Sequence, residues 1–142
     1  MADAAPPFAV QRLDHVVLRV DDLERSIAWY GDVLGCHVER RRDDLGLAHL
    51  RAGASMIDLV ALDGRLGRAG GAGPGAEGRN VDHLCLRIEP VHEAALVAHL
   101  RAHGVAPHGP AGVNFGAEGS GRSLYIADPD GNVVELKGPA TG

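Results

Sequence analysis

The sequence predicts an α+β chain of two tandem βαβββ modules, and three observations lead to this fold class. A strand-like segment, residues 13–20, recurs 68 residues later as residues 81–88. Each copy is followed by a stretch with helical periodicity and then by short β-like runs. With 142 residues, 45% of them hydrophobic and 23% charged, the chain has apolar material for one small soluble unit whose core the modules share.

The two repeat segments agree at most positions. They are Leu13-Asp14-His15-Val16-Val17-Leu18-Arg19-Val20 and Val81-Asp82-His83-Leu84-Cys85-Leu86-Arg87-Ile88. Four of the eight positions are identical, and three others exchange one aliphatic residue for another. We therefore interpret the segments as the first strands of two copies of one module.

In the first module, a helix is expected after the first strand. Asp21 and Asp22 are acidic start signals, apolar residues recur every three or four positions from Leu23 to Leu34, and Gly35 is a suitable helix end. Three β-like runs complete the module, at residues 36–42, 45–52 and 55–62.

The second module has the same order of elements. Its helix is expected between Pro90 and Gly104, and its β-like runs lie at residues 105–108, 123–127 and 132–137. The tight turn at residues 128–132 precedes the last run, and the Gly-rich residues 109–122 are expected to form a loop.

The predicted boundaries follow from these elements. They are an N-terminal tail at 1–10, a first module at 11–63, a connector at 64–79, a second module at 80–138 and a tail at 139–142. Seven of the sixteen connector residues are Gly, so a flexible connector is expected.

Charge and composition exclude several classes of partner. The formal net charge is −5 and the only basic cluster is residues 40–42, so neither nucleic acid nor a membrane surface is a predicted partner. Apolar runs are of strand length, and the default prediction is a cytoplasmic protein. The two cysteines, Cys36 and Cys85, form no CxxC motif and are expected to be reduced thiols.

Strand alternation predicts a functional face. His15 and His83 occupy the same position in the two copies, on the face opposite the expected core. In the last strand of each module, Asp58 and Glu135 alternate with apolar residues and are expected on that same face. A histidine and a carboxylate are therefore duplicated together.

This duplicated set predicts one divalent metal site, with His15, His83 and one or both of the carboxylates Glu135 and Asp58 as ligands. Imidazole and carboxylate together suit Ni, Zn, Co, Mn or Fe. The remaining histidines have no such partner and are assigned to the surface or to helices: His37, His49, His92, His99, His103 and His108.

The chain resembles the vicinal oxygen chelate superfamily, which includes glyoxalase I, extradiol dioxygenases, fosfomycin-resistance thiol transferases and bleomycin-binding proteins. The resemblance extends from Leu13 to Lys137. Its marks are the two Asp-His strand openings, the helix at residues 22–35 and the segment at residues 123–136. Small glyoxalase-domain-containing proteins, some of them virulence-associated, are the most similar branch. This resemblance implies that the two modules form an incomplete, open β-barrel.

The resemblance also implies roles for individual residues. His15, His83 and Glu135 match the metal-binding triad, and Asp58 stands where glyoxalase I has a fourth, glutamate ligand. Because Asp is one methylene shorter than Glu, direct ligation and a water-bridged role are both open for Asp58. Arg19 matches an arginine that helps hold the γ-glutamyl group of glutathione.

The implied activity is that of a glyoxalase I-like lyase or isomerase. Glu135 or Asp58 would move a proton on a small oxygenated or thiol-conjugated carbonyl substrate, with glutathione as a candidate cosubstrate. Arg19, Arg87 and Lys137 share the functional face by alternation and suit an anionic substrate. Relatives with two modules per chain imply a homodimer. In one form of such a dimer, the two chains exchange modules.

Two other functions stay open. An extradiol-type dioxygenase would use two histidines and one glutamate to hold Fe(II), and a drug- or metabolite-binding protein would use the fold without turnover. A fosfomycin-type transferase is less favoured, because a threonine is expected two residues after the first histidine and Val17 is there instead. Cys85 shares the face beside His83 and is taken first as a packing thiol.

Overall fold

The computed structural model describes residues 5–141 and confirms the α+β prediction. The first module consists of β1 (His15–Val20), α1 (Leu23–Leu34), β2 (Val38–Arg42), β3 (Leu47–Ala52) and β4 (Ser55–Ala61). A short helix, α2 (Arg65–Arg68), follows it. The second module consists of β5 (Leu84–Arg87), α3 (Glu93–Ala102), β6 (Gly112–Gly116), β7 (Gly119–Ala127) and β8 (Val133–Ala140).

Each module forms its own four-stranded mixed sheet. The strand orders are β1-β4-β3-β2 and β5-β8-β7-β6, so the two sheets have the same topology. In each sheet the first strand pairs in parallel with the last one, and the other pairings are antiparallel. Each sheet ends in two edge strands and remains open, which agrees with the open architecture that the family resemblance implies.

The first helix begins and ends where the sequence signals lie. The Asp22 carboxylate accepts a hydrogen bond from the Arg25 backbone N–H at 3.1 Å, which satisfies one free donor of the first turn. Gly35 has a φ of 71°, a left-handed conformation that suits glycine and ends α1.

The core has two clusters that meet between the modules. The first centres on the fully buried Leu18, Leu50 and Leu59, and the second on Leu100 and Ile126. Four apolar side chains contact both clusters: Trp29, Leu34, Leu84 and Leu86. Each module thus buries apolar surface that it could not cover alone.

Polar contacts also tie the modules together. The Tyr30 hydroxyl donates a buried hydrogen bond to Asp128 at 2.7 Å. The Asp21 backbone N–H donates to the Asp130 carboxylate at 2.9 Å. The turn that precedes β8 is therefore held by the first helix and the residues that lead into it.

One strand prediction is wrong. Residues 105–108 form no strand; the Val105 N–H instead bonds the carbonyl of Leu100 at the end of α3, and Pro107 has no N–H to donate. The strand lies in β6, within residues 109–122 that were expected to be a loop. The glycine-rich segment forms a tight hairpin between β6 and β7, and Gly119 in this hairpin has a φ of 116°.

The Gly-rich connector is anchored to the first module. It contains α2, and the Arg19 guanidinium donates to the carbonyls of Gly71 and Ala72 at 3.0 and 3.1 Å. At the other end of the chain, β8 runs to Ala140, two residues beyond the predicted end of the second module. No helix within residues 5–141 is long and apolar enough to cross a membrane.

Candidate metal centre

Strand register places the duplicated residues in matching rows. Each sheet has a central row of three neighbouring residues from its first, last and third strands. The rows are Val17–Asp58–His49 in the first sheet and Cys85–Glu135–Tyr125 in the second. The two carboxylates therefore stand at equivalent positions, as the repeat predicts.

Each predicted histidine ligand is oriented by the residue before it. The Nδ1 atom of His15 lies 2.8 Å from the Asp14 carboxylate, and that of His83 lies 2.7 Å from the Asp82 carboxylate. Because a carboxylate accepts, the neutral form of each ring carries its proton on Nδ1 and keeps a lone pair on Nε2. Metal-binding histidines commonly have this arrangement. The sequence repeat includes both aspartates, but it does not show that they orient the histidine rings.

We call His83, Glu135 and Ser123 the second half-site. His83 Nε2 lies 3.3 Å from Glu135 Oε1. Two adjacent ligand atoms that each lie about 2.1 Å from one ion are about 3.0 Å apart in octahedral geometry and about 3.4 Å apart in tetrahedral geometry. The buried Glu135 has its other oxygen, Oε2, held by the Ser123 hydroxyl at 2.7 Å, and Asn114 in turn donates to that hydroxyl at 2.7 Å. This pair fits two ligands of one divalent ion.

We call His15, Asp58 and His49 the first half-site, and it differs in its distances. Asp58 Oδ2 lies 4.0 Å from His15 Nε2, which is longer than the separation of adjacent ligands. Asp58 Oδ1 instead accepts a hydrogen bond from His49 Nδ1 at 2.8 Å. The assignment of His49 as a histidine without a carboxylate partner is wrong, because its register position on β3 lies directly beside Asp58.

Neighbouring charges and burial shift several pKa values. The hydrogen bond with Asp14 raises the pKa of His15 and lowers that of Asp14. The hydrogen bond with His83 lowers the pKa of Asp82. Burial, together with the nearby Glu135 carboxylate, raises the pKa of Cys85 to about 11, so this side chain is a neutral thiol at neutral pH.

The three predicted substrate-binding cations have partners within the protein. Arg19 bonds the connector carbonyls described above. Arg87 donates to the Glu118 carboxylate at 2.8 Å, and the buried Lys137 donates to the Gly119 carbonyl at 2.9 Å. Arg87 and Lys137 are register neighbours on β5 and β8. These two cations therefore lie together beside Glu135, while Arg19 is engaged with the connector.

The four predicted ligands occur as two pairs. His15 lies near Asp58, and His83 lies near Glu135. Within the part of the chain that the structure describes, no three His, Cys, Asp or Glu side chains are grouped to hold a metal ion. Imidazole Nε2 atoms and carboxylate oxygens are nevertheless the donors that first-row divalent metals prefer.

Tandem βαβββ modules that each carry an imidazole–carboxylate pair define a recognisable class of protein. The chain belongs to the Glyoxalase/Bleomycin resistance protein/Dioxygenase superfamily, whose family model matches residues 12–136.

Individual relatives cover most of the chain. Virulence protein STM3117 of Salmonella typhimurium is 30% identical over 129 residues, which are 89% of this chain and 83% of that protein. A lactoylglutathione lyase of the same species is 32% identical over 129 residues, or 88% of this chain and 90% of the enzyme. The structure of the integron cassette protein VCH_CASS1, from the mobile metagenome of V. cholerae, matches with a TM-score of 0.72 and 27% identity over 92% of this chain and 97% of that one.

Proposed function

We propose that the chain is a divalent-metal-dependent lyase or isomerase that moves a proton on a small oxygenated or thiol-conjugated carbonyl substrate. The observation that carries this proposal is the second half-site, where His83 Nε2 and Glu135 Oε1 lie 3.3 Å apart. The Nδ1 atom of His83 is held by Asp82 at 2.7 Å, so Nε2 is directed away from that hydrogen bond and is free to ligate.

His15, His83 and Glu135 would hold the ion. A bound divalent ion would act as a Lewis acid and stabilise charge that develops on two neighbouring substrate oxygens. Asp58 is the weaker candidate ligand, because its separation of 4.0 Å from His15 Nε2 is too long for adjacent ligands. Three protein ligands would leave coordination positions for the substrate.

The chain's own residues would bind the substrate and move its proton. Glu135 and Asp58 are the predicted carboxylates for proton transfer. Arg87 and the buried Lys137 lie beside Glu135 and would attract the anionic part of a substrate. The lactoylglutathione lyase relative makes a glutathione conjugate the first substrate to test.

A second copy of the chain would complete the site. The donor pairs belong to two different sheets, and each pair alone supplies fewer ligands than a catalytic metal site uses. Val17, in the central row of the first sheet, is 49% exposed and offers apolar surface next to the polar pair. We therefore propose a homodimer in which the first half-site of one chain faces the second half-site of its partner.

Iron would point to a different reaction. Two histidines and one carboxylate also form the usual binding site of non-haem Fe(II) oxygenases, so the same residues would suit an extradiol-type dioxygenase. Metal identification on the protein as purified separates the two functions: Fe with oxygen uptake on a catechol supports the oxygenase, and Ni, Zn or Co supports the lyase. Binding of a drug-like ligand by a metal-free protein would support a function without turnover.

Turnover of the hemithioacetal of methylglyoxal and glutathione tests the proposed reaction. After reconstitution with Ni, Zn, Co or Mn, we expect ultraviolet-detected thioester formation that Glu135→Ala abolishes. Glu77→Ala, in the exposed part of the connector, is the matched control and should keep full activity. Absence of thioester with every metal contradicts the lyase activity.

A further inference from the structure

The first half-site contains a histidine with no role in the mechanism above. We propose that His49 is a proton-transfer residue of this site and that Asp58 acts by orienting it. The inference rests on the proposed function, whose chemistry it assigns to a particular nitrogen atom. It starts from the contact between His49 Nδ1 and Asp58 Oδ1 at 2.8 Å.

This contact fixes which nitrogen of His49 is available. The carboxylate can only accept a hydrogen bond, so Nδ1 of His49 carries the proton. With its proton on Nδ1, the imidazole has its lone pair at Nε2, which is the atom that can accept a proton from a substrate. Catalytic triads have the same arrangement: a carboxylate binds one nitrogen of the imidazole, and the other nitrogen transfers the proton.

The strand register places His49 on the functional face. Ala48 and Leu50 on either side of it are fully buried in the core, so His49 points to the opposite face of β3. It lies directly beside Asp58 on β4. Its side chain is 21% exposed, so the ring is held in place and still accessible.

Asp58 is poorly placed to move the proton itself. Its side chain is only 8% exposed, and one of its oxygens is occupied by His49. Asp is also one methylene shorter than the glutamate that the family resemblance would place there. We therefore assign to His49, rather than to Asp58, the proton transfer that the sequence predicts for the first half-site.

The proton transfer balances without any further reactant. His49 Nε2 takes the proton from the hydroxyl-bearing carbon of the hemithioacetal. The C–H electron pair forms the C=C bond of an enediolate, and the carbonyl π pair moves to its oxygen. The imidazolium then returns the proton to the former carbonyl carbon, while the hydroxyl proton passes to the former carbonyl oxygen. The product is the isomeric thioester.

A conservative variant separates proton transfer from hydrogen bonding. His49→Asn keeps an N–H group near the position of Nδ1, so the bond to Asp58 can form, but it has no second nitrogen. His92→Asn, at the exposed start of α3, is the matched control. In D2O with the methylglyoxal–glutathione hemithioacetal, we expect His49→Asn to slow exchange of the carbon-bound proton by about 100-fold or more. The control should exchange at the wild-type rate.

Two measurements that are independent of turnover complete the test. In 15N-labelled, metal-free protein, the His49 ring should show the Nδ1–H tautomer. Metal affinity measured by calorimetry should change less than about threefold in His49→Asn, whereas a ligand would lose far more. A His49 ring with the Nε2–H tautomer, a large loss of metal affinity, or wild-type exchange in His49→Asn would each overturn the inference.

The outcomes also distinguish this inference from the proposed function. A wild-type protein that exchanges the carbon-bound proton through His49 but releases no thioester contradicts the lyase activity and supports His49. Thioester formation that continues unchanged in His49→Asn supports the lyase activity and overturns the role of His49. A wild-type protein that exchanges no proton contradicts both.

Discussion

The two half-sites have the same plan and differ in what holds the carboxylate. In the second half-site, Ser123 binds one oxygen of Glu135 and the other lies 3.3 Å from the histidine Nε2. In the first, His49 binds one oxygen of Asp58 and the other lies 4.0 Å from the histidine. Duplication has kept the imidazole and the carboxylate, while residues on the third strand of each module decide how the carboxylate is used.

The rows of residues next to the two carboxylates differ in polarity, and the second module again has the more polar one. Moving along the sheet from the central row, the next row is Arg19–Val60–Leu47 in the first module and Arg87–Lys137–Ser123 in the second. The first module therefore has one polar residue in this row and the second has three. The second half-site carries the polar network, which fits it for holding an ion and an anionic substrate.

The largest expected contrast is between the two carboxylates. Glu135→Gln removes a predicted ligand charge from the second half-site, and we expect metal affinity to fall by about 100-fold or more. Asp58→Asn changes the first half-site in the same chemical way and should weaken binding by less than about tenfold. Calorimetric titration with Ni or Zn measures both. Equal losses in the two variants would mean that both carboxylates ligate.

A smaller loss is expected when the support of Glu135 is removed. Ser123→Ala deletes the hydroxyl that holds Oε2 and leaves the side chain of Asn114 without its acceptor. Such supporting bonds typically contribute about 10- to 100-fold to metal affinity. Ser55→Ala, which removes an exposed bond to the Leu13 carbonyl, is the control and should bind metal normally. Unchanged affinity in Ser123→Ala would show that Glu135 needs no such support.

The modules also differ in how a tyrosine is used, and this affects stability. Tyr30→Phe deletes the buried bond to Asp128 that ties the first module to the second. Loss of a hydrogen bond to a charged group should lower the free energy of unfolding by about 1.5–3 kcal/mol. Tyr125→Phe removes the hydroxyl of the partly exposed Tyr125 on β7 and should cost less than about 1 kcal/mol. Urea denaturation of metal-free protein compares them, and equal costs would contradict the role of Tyr30.

The smallest expected effect concerns Cys85, which occupies the position in the second module that Val17 occupies in the first. Because the pKa of Cys85 is raised to about 11, only about a thousandth of it is thiolate at pH 8. Alkylation by iodoacetamide, followed by mass spectrometry, should be slow at pH 8 and accelerate as the pH approaches 11. Cys85→Val should leave metal affinity unchanged. Rapid labelling at pH 7 would contradict the raised pKa of this exposed thiol.

Repeated features were predictable from the sequence, and unrepeated ones were not. Both Asp-His pairs, both carboxylates and both main helices follow from the internal match and from periodicity. His49 was missed because the equivalent residue in the second module is Tyr125, so no repeat marked it. β6 was missed because glycine carries no side-chain pattern from which a strand can be identified. Distances such as the one from Asp58 to His15 depend on the register of the strands, so the sequence alone does not predict them.

The central claim is that one metal site combines a first half-site with a second half-site from another chain. Coexpression of His15→Ala and Glu135→Ala chains with two different affinity tags isolates the mixed dimer. In that dimer, one site would have both halves intact and the other would have neither. We expect about half of the wild-type metal content in the mixed dimer and almost none in either variant alone. A mixed dimer with no more metal than its parents would contradict it.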